Sequence, residues 1–492
     1  MEENQEKVVN KPKKGIRLWV FIVSLIATML ISVFLTVALV ITQLPKADNK
    51  LAFGALKKNE MFQIEKVFYF LKQNYLDKNV TNEQLIQGAL KGMAESVGDP
   101  YTTYLVNDET AQLDETVNGA FGGIGAELKS DQSRVVISTT MEGSPSQQVG
   151  LQSDDVITKV DGEDMTGKTI SEVVKKVRGE VGTDVVLTIE RAGTSLEVKL
   201  TRASIAINTV KAELDKEDAT IGHVRITSFA KNTAQELEKA VKDLTDKGAK
   251  AFVFDVRYNP GGLLDQAYKV ANMFLKDGEP IVQVEDRFGE KKIYKASSDI
   301  GKFKITQPYV LLVNEGSASA SEILAAALKE GAGAQIVGTK TYGKGTAQTQ
   351  VTLPDGGVLK YTYAKWYTAK GKSIDKEGIK PDIEMKSNSI SKLEISSFKG
   401  TFTYDQVNDH IKSMEIMLEG LGYQPKRTDG YFSKEASEAL KKFQTDYHLQ
   451  STGTYTNEVQ NYLLSAYALY LSDQSKDPVY LKASKLVEEN NG

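Results

Sequence analysis

The chain has 492 residues, of which 41% are apolar and 26% are charged. This composition is typical of a globular protein with several domains and excludes a chain that is disordered throughout. Lys and Arg number 61 and Asp and Glu number 65, so the net charge of −4 gives no support for nucleic-acid binding, and the absence of cysteine excludes disulfides, thiolate zinc sites and a cysteine nucleophile.

The first predicted element is a membrane anchor. Residues 18–45 carry no charge, and as a helix they would be about 42 Å long, enough to cross a hydrocarbon core of roughly 30 Å. Basic residues flank the N-terminal side and predict a cytoplasmic tail at 1–17. A cleaved signal peptide is the alternative, but the small-x-small site it needs is poorly formed at Val37-Ala38-Leu39. We therefore expect an uncleaved, single-pass anchor in the cell membrane, with the rest of the chain on the extracytoplasmic side.

Residues 46–115 are predicted to be helical. Apolar residues recur at helical spacing between Phe62 and Tyr75, and Thr81-Asn82-Glu83 opens a second helix. Residues 116–203 then contain short alternating runs, such as Val135-Val136-Ile137, and a single clear helix. Five or six short strands around one or two helices predict a small, partly open β-barrel.

From 204 to 386, strands alternate with helices, which predicts a layered α/β domain. One of its strands is the apolar run Ala251–Val256. A serine-rich linker is predicted at 387–402, a small helical domain at 403–468 and a C-terminal tail at 469–492. The predicted fold class is therefore multidomain α+β, with a transmembrane helix at its N-terminal end.

Three loop segments carry candidate chemistry. Gly316 to Glu322 lies between a strand and a helix, where a serine hydroxyl and backbone N–H groups can face a substrate; the same residues also fit a helix capping box. Gly343-Lys344-Gly345 fails the phosphate-loop pattern, because glycine stands where Ser or Thr must hold magnesium, and it is otherwise an ordinary exposed loop. Asp255 to Gly262 ends in two glycines that either aim N–H groups at a substrate carbonyl or form a plain tight turn.

A serine and a lysine together suggest hydrolysis without histidine. Lysine acts as a general base only when neutral, and lowering its pKa from about 10.4 to about 7.5 means disfavouring the charged form by about 4 kcal/mol. Burial in a dry pocket can produce such a shift. Gln348 lies four residues after Lys344 on the same face of a predicted strand and could accept a hydrogen bond from the amine, although alone it also fits an ordinary surface glutamine.

In combination, these motifs resemble the carboxyl-terminal processing peptidases, also called tail-specific proteases, over about residues 60–385. The matching segments, in the order of the family, are Asp99 to Tyr104, Phe121 to Gly125, Ser144 to Leu151, Asp255 to Gly262, Asn314 to Glu322, Gly343 to Gln348 and Gly378 to Asp382. The resemblance implies an anchored serine endopeptidase with a PDZ domain at 116–203 and a protease domain at 204–386. Asp154 stands where the PDZ pattern usually has glycine; aspartate tolerates a left-handed backbone, so we expect an intact turn there.

The resemblance also implies catalytic roles. The family's nucleophile, general base and orienting glutamine match Ser319, Lys344 and Gln348, and spacing alone does not choose Ser319 from the three serines around it. Two backbone N–H groups are the implied oxyanion donors, and they match Ala320 and either Gly261 or Gly262. The resemblance implies no metal and no cofactor.

The implied PDZ domain would bind the free C-terminus of a substrate and control access to the protease site. Its peptide-binding loop matches Gly122, Gly123, Ile124 and Gly125, whose N–H groups can bind a terminal carboxylate while the tail adds as an edge strand. Arg178 resembles the arginine that couples this domain to the protease; the alternative is a solvated arginine at a helix end.

Residues 403–468 resemble a peptidoglycan-binding domain, with Glu415 where glutamine is common. The expected partners are substrates bound by their C-termini, the membrane through one helix, and peptidoglycan or a second copy of the chain through the C-terminal domain, but no nucleic acid. Two alternatives stay open. A non-catalytic PDZ adaptor anchored near the cell wall need not keep the serine, the lysine and the glutamine together, and a trypsin-like PDZ protease needs a catalytic histidine, for which His223 is the candidate.

Overall fold

The computed structural model describes residues 58–131, 134–386 and 393–491. The predicted cytoplasmic tail and membrane anchor lie outside these residues, as does the first part of the predicted linker. Within the described ranges, no helix combines the length and the apolar character that a membrane span needs. The chain divides into two compact units, one ending at Gly88 and the other beginning at Ala89.

The helices predicted near the N-terminus are present as α1 (Lys58–Asn74) and α2 (Asn82–Glu95). Thr81 caps α2 reciprocally, because its hydroxyl accepts from the Gln84 N–H at 3.1 Å and its own N–H donates to the Gln84 side chain at 2.8 Å. Many large apolar side chains of α1 are exposed, and they are Met61, Phe62, Ile64, Val67, Tyr69, Phe70 and Leu71. The periodicity predicted the helix correctly, but this helix does not bury its apolar residues.

A barrel domain follows, entered through a short strand and a helix. The elements are β1 (Thr103–Leu105), α3 (Asp108–Asn118), β2 (Ala120–Gly123), β3 (Ala126–Asp131), β4 (Arg134–Thr140), α4 (Pro145–Gln148), β5 (Val156–Val160), β6 (Glu163–Asp164), α5 (Ile170–Val177), β7 (Asp184–Arg191), β8 (Thr194–Thr201) and β9 (Ala203–Ala206). The main sheet has the order β3-β4-β5-β7-β8, with β6 beside β5, and β2 pairs with β9. Alternate residues of β7, Val185, Leu187 and Ile189, are fully buried, which is the period-2 pattern of a half-buried strand.

The turn at Asp154 is intact, as expected. Its φ is 69°, in the left-handed region that aspartate tolerates, and its carboxylate pairs with Lys129 at 2.8 Å.

The predicted α/β domain contains two sheets. Its elements are β10 (Val210–Leu214), β11 (Ile221–Ile226), α6 (Thr233–Asp246), β12 (Ala251–Asp255), α7 (Leu264–Asn272), β13 (Pro280–Asp286), β14 (Lys291–Lys295), β15 (Tyr309–Val313), α8 (Ala320–Ala327), β16 (Gln335–Gly338), β17 (Thr346–Thr352), β18 (Val358–Thr368) and β19 (Ile383–Glu384). The larger sheet has the order β10-β11-β12-β15-β16-β19 and is parallel from β11 onward. Every residue of β12 is buried, as expected of a central parallel strand covered on both faces.

The smaller sheet is antiparallel and has the order β1-β18-β13-β14, with β17 also paired to β18. One hydrophobic core joins the two sheets and helices α6, α7 and α8, and Trp366 of β18 lies fully buried within it. The loops after β12 and β15 leave the carboxyl ends of neighbouring parallel strands, which is where open α/β sheets bind their ligands.

The predicted small helical domain consists of β20 (Thr401–Phe402), α9 (Asp409–Gly420), α10 (Lys434–Asp446), β21 (Tyr455–Thr456) and α11 (Asn457–Ser472). The predicted stripe of α9, formed by Ile411, Met414 and Leu418, is completely buried. It packs against α10 and α11 in a core of its own.

The residues predicted to be a C-terminal tail form a further helix, α12 (Pro478–Asn491), which packs on the larger sheet. Val479, Ala483 and Val487 are buried on the face opposite to α8, against β11, β12, β15 and β16. At the start of the helix, the Asp477 carboxylate caps the N–H of Val479 at 3.0 Å and pairs with Arg257, at the end of β12, at 2.6 Å. The α/β domain is therefore completed by residues that follow the small helical domain.

Glu415 is a fully buried carboxylate in the small helical domain. One of its oxygens accepts from the Gly430 N–H at 2.9 Å and the other has no partner among the described residues, and burial raises the pKa of Glu415 to about 7. Because the folded-state pKa lies above the unfolded value of 4.5, this group supports folding below about pH 4.5 and loses that contribution as the pH rises through 7.

We expect Glu415→Gln, which mimics the protonated acid, to raise the unfolding midpoint at pH 8 by several degrees and to change it much less at pH 5. Circular dichroism melts at the two pH values measure this. An equal change at both would contradict the assignment.

Candidate active site at the ends of the parallel strands

Ser319 stands at a sharp turn between β15 and α8. Its φ of 53° and ψ of −111° form a strained combination for a residue with a side chain. A strained turn from strand to helix holds a hydroxyl clear of the regular packing, and the start of α8 places N–H groups and the positive end of a helix beside it.

The serines on either side of Ser319 have structural roles. The Ser317 hydroxyl donates to the Val256 carbonyl at 2.8 Å and the Ser321 hydroxyl donates to the Asn259 carbonyl at 2.9 Å, and both serines are fully buried. These bonds tie the serine turn to the loop after β12. Ser319 is half-buried, and its side chain lines a cavity instead.

Glu322 connects the serine turn to the loop of Lys344. One carboxylate oxygen accepts from the N–H groups of Ser319 at 2.8 Å and Lys344 at 2.9 Å. The other accepts from the Thr341 hydroxyl at 2.6 Å and the Gly343 N–H at 2.7 Å. The capping interaction expected of Glu322 is present. The sequence does not indicate its bond to the loop of Lys344, because Glu322 and Lys344 are 22 residues apart in the chain.

The backbone of Lys344 is held by close packing on both sides. Gly343 has a φ of 92°, and a Cβ on Gly345 would lie 2.9 Å from the Asp375 backbone, so these positions favour glycine. The Lys344 carbonyl accepts a hydrogen bond of 2.8 Å from the buried indole of Trp366. The loop is therefore tightly packed, unlike the exposed loop of the alternative interpretation.

The amine of Lys344 lies 4.2 Å from the centre of the Tyr101 ring. Burial and, to a smaller extent, the charge of Lys360 lower the pKa of Lys344, while Asp99 and Glu322 act in the opposite direction. In the described part of the chain, no hydrogen bond joins this amine to Ser319 or to Gln348.

Gln348 lies on β17, at an irregularity of its pairing with β18. Its side-chain nitrogen donates to the hydroxyls of Thr346 at 3.0 Å and Thr362 at 3.1 Å. The Thr362 N–H in turn donates to the Thr102 hydroxyl at 3.2 Å. These contacts leave the amide oxygen of Gln348 as the atom available for the lysine amine.

A cavity of about 410 Å³ brings the candidate residues together. Its lining includes Ser319, Ala320, Gly262, Lys344, Gln348 and Lys360. Apolar side chains complete the walls, and three of the lining residues, Leu113, Thr116 and Val117, belong to α3. His223 does not line it; its ring contacts the Gln474 side chain at 2.8 Å.

The two glycines after β12 differ in what their N–H groups do. The Gly261 N–H donates to the Asn259 side chain at 2.9 Å. The N–H groups of Gly262 and Ala320 have no acceptor among the described residues. A side chain at Gly261 would bring its Cβ to 2.7 Å from the Ala318 carbonyl oxygen, so glycine is needed for the two loops to approach.

The glycine-rich loop of the barrel domain also has free N–H groups. Those of Ile124 and Gly125 find no backbone acceptor in the described ranges, while the Ile124 side chain is buried in the barrel core. Gly122, earlier in the same segment, packs so closely on Gly179 that a Cβ would lie 2.0 Å from its carbonyl oxygen. Gly123 pairs with Ala203 in the β2–β9 ladder. Consecutive free N–H groups of this kind form a concave anion site.

Arg178 connects this loop to the helix that lines the cavity. Its guanidinium lies 3.9 Å from the centre of the Phe121 ring and donates to the Glu115 carboxylate at 2.7 Å. Glu115 belongs to α3. Arg178 is thus paired, unlike the solvated arginine of the alternative interpretation, while its predicted coupling role stays a prediction. The sequence does not indicate Glu115 or the ring of Tyr101, since neither contact is local in the chain.

Four family models match the sequence. Residues 220–385 match peptidase family S41 and residues 136–191 match the PDZ domain. Residues 38–110 match the N-terminal domain of the activating protease CtpB, and residues 408–463 match the putative peptidoglycan binding domain.

Similar proteins include the carboxy-terminal processing protease CtpA of Bacillus subtilis (strain 168), which is 37% identical over 412 residues, covering 84% of this chain and 87% of that protein. The probable CtpA-like serine protease of Staphylococcus aureus (strain COL) is 36% identical over 461 residues, with coverage of 93% and 91%. Among solved structures, the photosystem II D1 C-terminal processing protease is 29% identical and covers 67% of this chain and 94% of that chain, with a TM-score of 0.39.

Proposed function

Since the chain belongs to peptidase family S41 and is a carboxy-terminal processing serine protease with a PDZ domain, we propose that Ser319 and Lys344 form its catalytic dyad. One observation carries the proposal: both residues line one cavity. The carboxylate of Glu322, which accepts hydrogen bonds from the backbone N–H groups of both, supports it. A serine hydroxyl beside a partly desolvated lysine is suited to nucleophilic catalysis without histidine.

In the proposed mechanism, the neutral amine of Lys344 takes the hydroxyl proton as Ser319 Oγ attacks the peptide carbonyl carbon. The negative charge that develops on the carbonyl oxygen is stabilised by the N–H groups of Ala320 and Gly262, because the N–H of Gly261 is already engaged. The Lys344 ammonium then protonates the leaving amine as the C–N bond breaks. Water attacks the carbonyl carbon of the resulting acyl-enzyme while Lys344 takes its proton. Lys344 then gives this proton to Ser319 Oγ as the ester C–O bond breaks and the product carboxylic acid leaves.

We assign Gln348 to orienting the amine of Lys344. Its amide nitrogen is held by two threonine hydroxyls, so its oxygen is left to accept from the amine. Because this acceptor is uncharged, it directs the amine without the strong stabilisation of the ammonium that a carboxylate would give.

We further propose that the barrel domain binds the free C-terminus of the substrate. Gly122 and Gly123 form the strand that leads into the loop, and the free N–H groups of Ile124 and Gly125 face the carboxylate. Arg178 couples this binding to the cavity, since it joins the loop side of the barrel to α3 through Glu115.

An unstructured peptide that ends in apolar residues should be cleaved about 10- to 100-fold more efficiently, in kcat/KM, than the same peptide with a C-terminal amide. The reason is that the amide loses charge-assisted hydrogen bonds to the loop. Mass spectrometry of the two digests measures the ratio. Equal cleavage of both peptides would argue against recognition of the carboxylate.

Membrane anchoring through residues 18–45 and an extracytoplasmic protease remain proposals, supported by the uncharged segment and the basic residues before it. The full chain should sediment with membranes, and a form starting at residue 58 should not.

The C-terminal domain is proposed to contact peptidoglycan, supported by the match at residues 408–463. A homodimer formed through the same domain is the alternative proposal for it. Co-sedimentation with purified peptidoglycan tests the first proposal, and the mass in solution by light scattering tests the second.

A further inference from the structure

Tyr101 belongs to the motif from Asp99 to Tyr104. Neither the proposed mechanism nor the proposed binding of the substrate C-terminus gives this motif a role. Its N–H donates to the Asp99 carboxylate at 3.1 Å, and burial, together with a hydrogen bond that its hydroxyl donates to Tyr342, raises the pKa of Tyr101 to about 12. The phenol therefore stays neutral at the pH at which a lysine base works. Tyr342 itself lies two residues before Lys344, so the ring and the lysine loop are joined by a second contact.

The face of this ring holds the amine of Lys344. The nitrogen lies 4.2 Å from the ring centre, well inside the range of a cation–π interaction. Among the described residues, the amine makes no side-chain hydrogen bond, and the ring is the one group shown in direct contact with it. A cation–π contact stabilises the ammonium, which is the form that cannot accept the proton of Ser319.

The other charged groups around the amine do not cancel the stabilisation of the ammonium by the ring. Lys360 repels the ammonium, whereas Asp99 and Glu322 attract it. Asp375 acts on Tyr101 and not directly on the lysine. Besides the ring, the surroundings of the amine thus include one group that repels the ammonium and two that attract it.

We propose that Tyr101 is a positioning residue that holds Lys344 in a resting position, from which substrate binding releases it. This inference rests on the proposed role of Lys344 as the general base. Tyr101 is followed in the chain by β1, which pairs with β18, and then by α3, whose Glu115 binds Arg178 of the barrel domain. Binding of a substrate C-terminus by the barrel domain can therefore act on the ring through the Arg178–Glu115 pair and the chain between Glu115 and Tyr101.

The first experiment compares Tyr101→Leu, which removes the aromatic face, with Tyr101→Phe, which keeps it and loses only the hydroxyl. For Tyr101→Leu we expect the acid limb of the kcat/KM profile to move about one pH unit lower, because the ammonium is less stable, and cleavage of the amidated peptide to rise about five-fold. Tyr101→Phe should keep the wild-type profile. A Tyr101→Leu protein with wild-type unfolding temperature and wild-type pH profile would overturn the inference.

The second experiment keeps Tyr101 and so does not depend on the folding of a Leu variant. The sample is Ser319→Ala protein whose lysines carry ¹³C-methyl groups, observed by NMR. The methyl signal of Lys344 is the one that disappears when Lys344→Arg is added. We expect the Tyr101 ring to shift this signal upfield. The peptide with a free carboxylate should move it downfield; a signal unchanged at saturating peptide would overturn the inference.

The experiments distinguish a failure of the proposed dyad from a failure of the proposed resting position. Cleavage by Lys344→Met protein would overturn the dyad itself. Loss of cleavage in Lys344→Met, together with identical profiles for Tyr101→Leu and Tyr101→Phe, would overturn only the role of the ring.

Discussion

Replacement of Ser319 by alanine should reduce cleavage of an unstructured peptide by at least about 10⁴-fold, because no other group can form the acyl-enzyme. The fold should persist, since the bonds that hold this turn come from the backbone N–H of Ser319 and from its neighbours. Single-turnover digestion followed by mass spectrometry measures the rate, and thermal unfolding measures the fold.

Ser321→Ala is the matched control. Its hydroxyl is fully buried and donates to the Asn259 carbonyl, so its loss should lower the unfolding temperature while leaving measurable catalysis. Turnover by purified Ser319→Ala protein, or a complete loss in a well-folded Ser321→Ala protein, would show that the nucleophile has been placed on the wrong serine.

Replacement of Lys344 by methionine should reduce kcat by about 10³-fold or more, because the hydroxyl loses its base. Lys344→Arg should be equally inactive, since a guanidinium stays protonated. In the wild type, activity should rise with pH as the amine becomes neutral, and this rise should occur below the ordinary pKa of lysine, because burial and Lys360 both lower the pKa of Lys344.

Lys340→Met provides the control for loss of a lysine from the same segment. Lys340 is exposed and does not line the cavity of Ser319, so its replacement should leave both kcat and the pH profile unchanged. An unchanged pH profile in an active Lys344→Met protein would remove the basis for a lysine mechanism.

The elements with clear periodicity were predicted closely. The predicted strand at Ala251–Val256 is observed as Ala251–Asp255, and the apolar stripe predicted around Ile411 and Met414 is buried as expected. These elements could be predicted because their patterns are local and because the central strand is apolar on both faces.

The choice among the serines could not be made from spacing, because all three fit a turn between a strand and a helix. The proposal of Ser319 is supported by bonds between residues far apart in the chain, since the hydroxyls of Ser317 and Ser321 donate to the carbonyls of Val256 and Asn259. The same holds for Tyr101, whose contact with Lys344 joins residues far apart in the chain. A single sequence does not specify such pairings.

The helix at Pro478–Asn491 was assigned to a tail because its pattern does not say which surface it covers. The helix packs on strand residues such as Val253 and Leu312, which are fully buried. Because these strands are apolar on both faces, their pattern does not predict which element covers which face.

The helix at Pro478–Asn491 is made after all the strands of the sheet on which it packs. Until residues 478–491 have been synthesised, one side of the larger sheet lacks its cover, and Arg257 lacks the carboxylate of Asp477 just before the turn that carries Gly262. Because contacts between distant parts of a chain form slowly, a nascent or prematurely terminated chain would present a sticky apolar face and an unsupported turn.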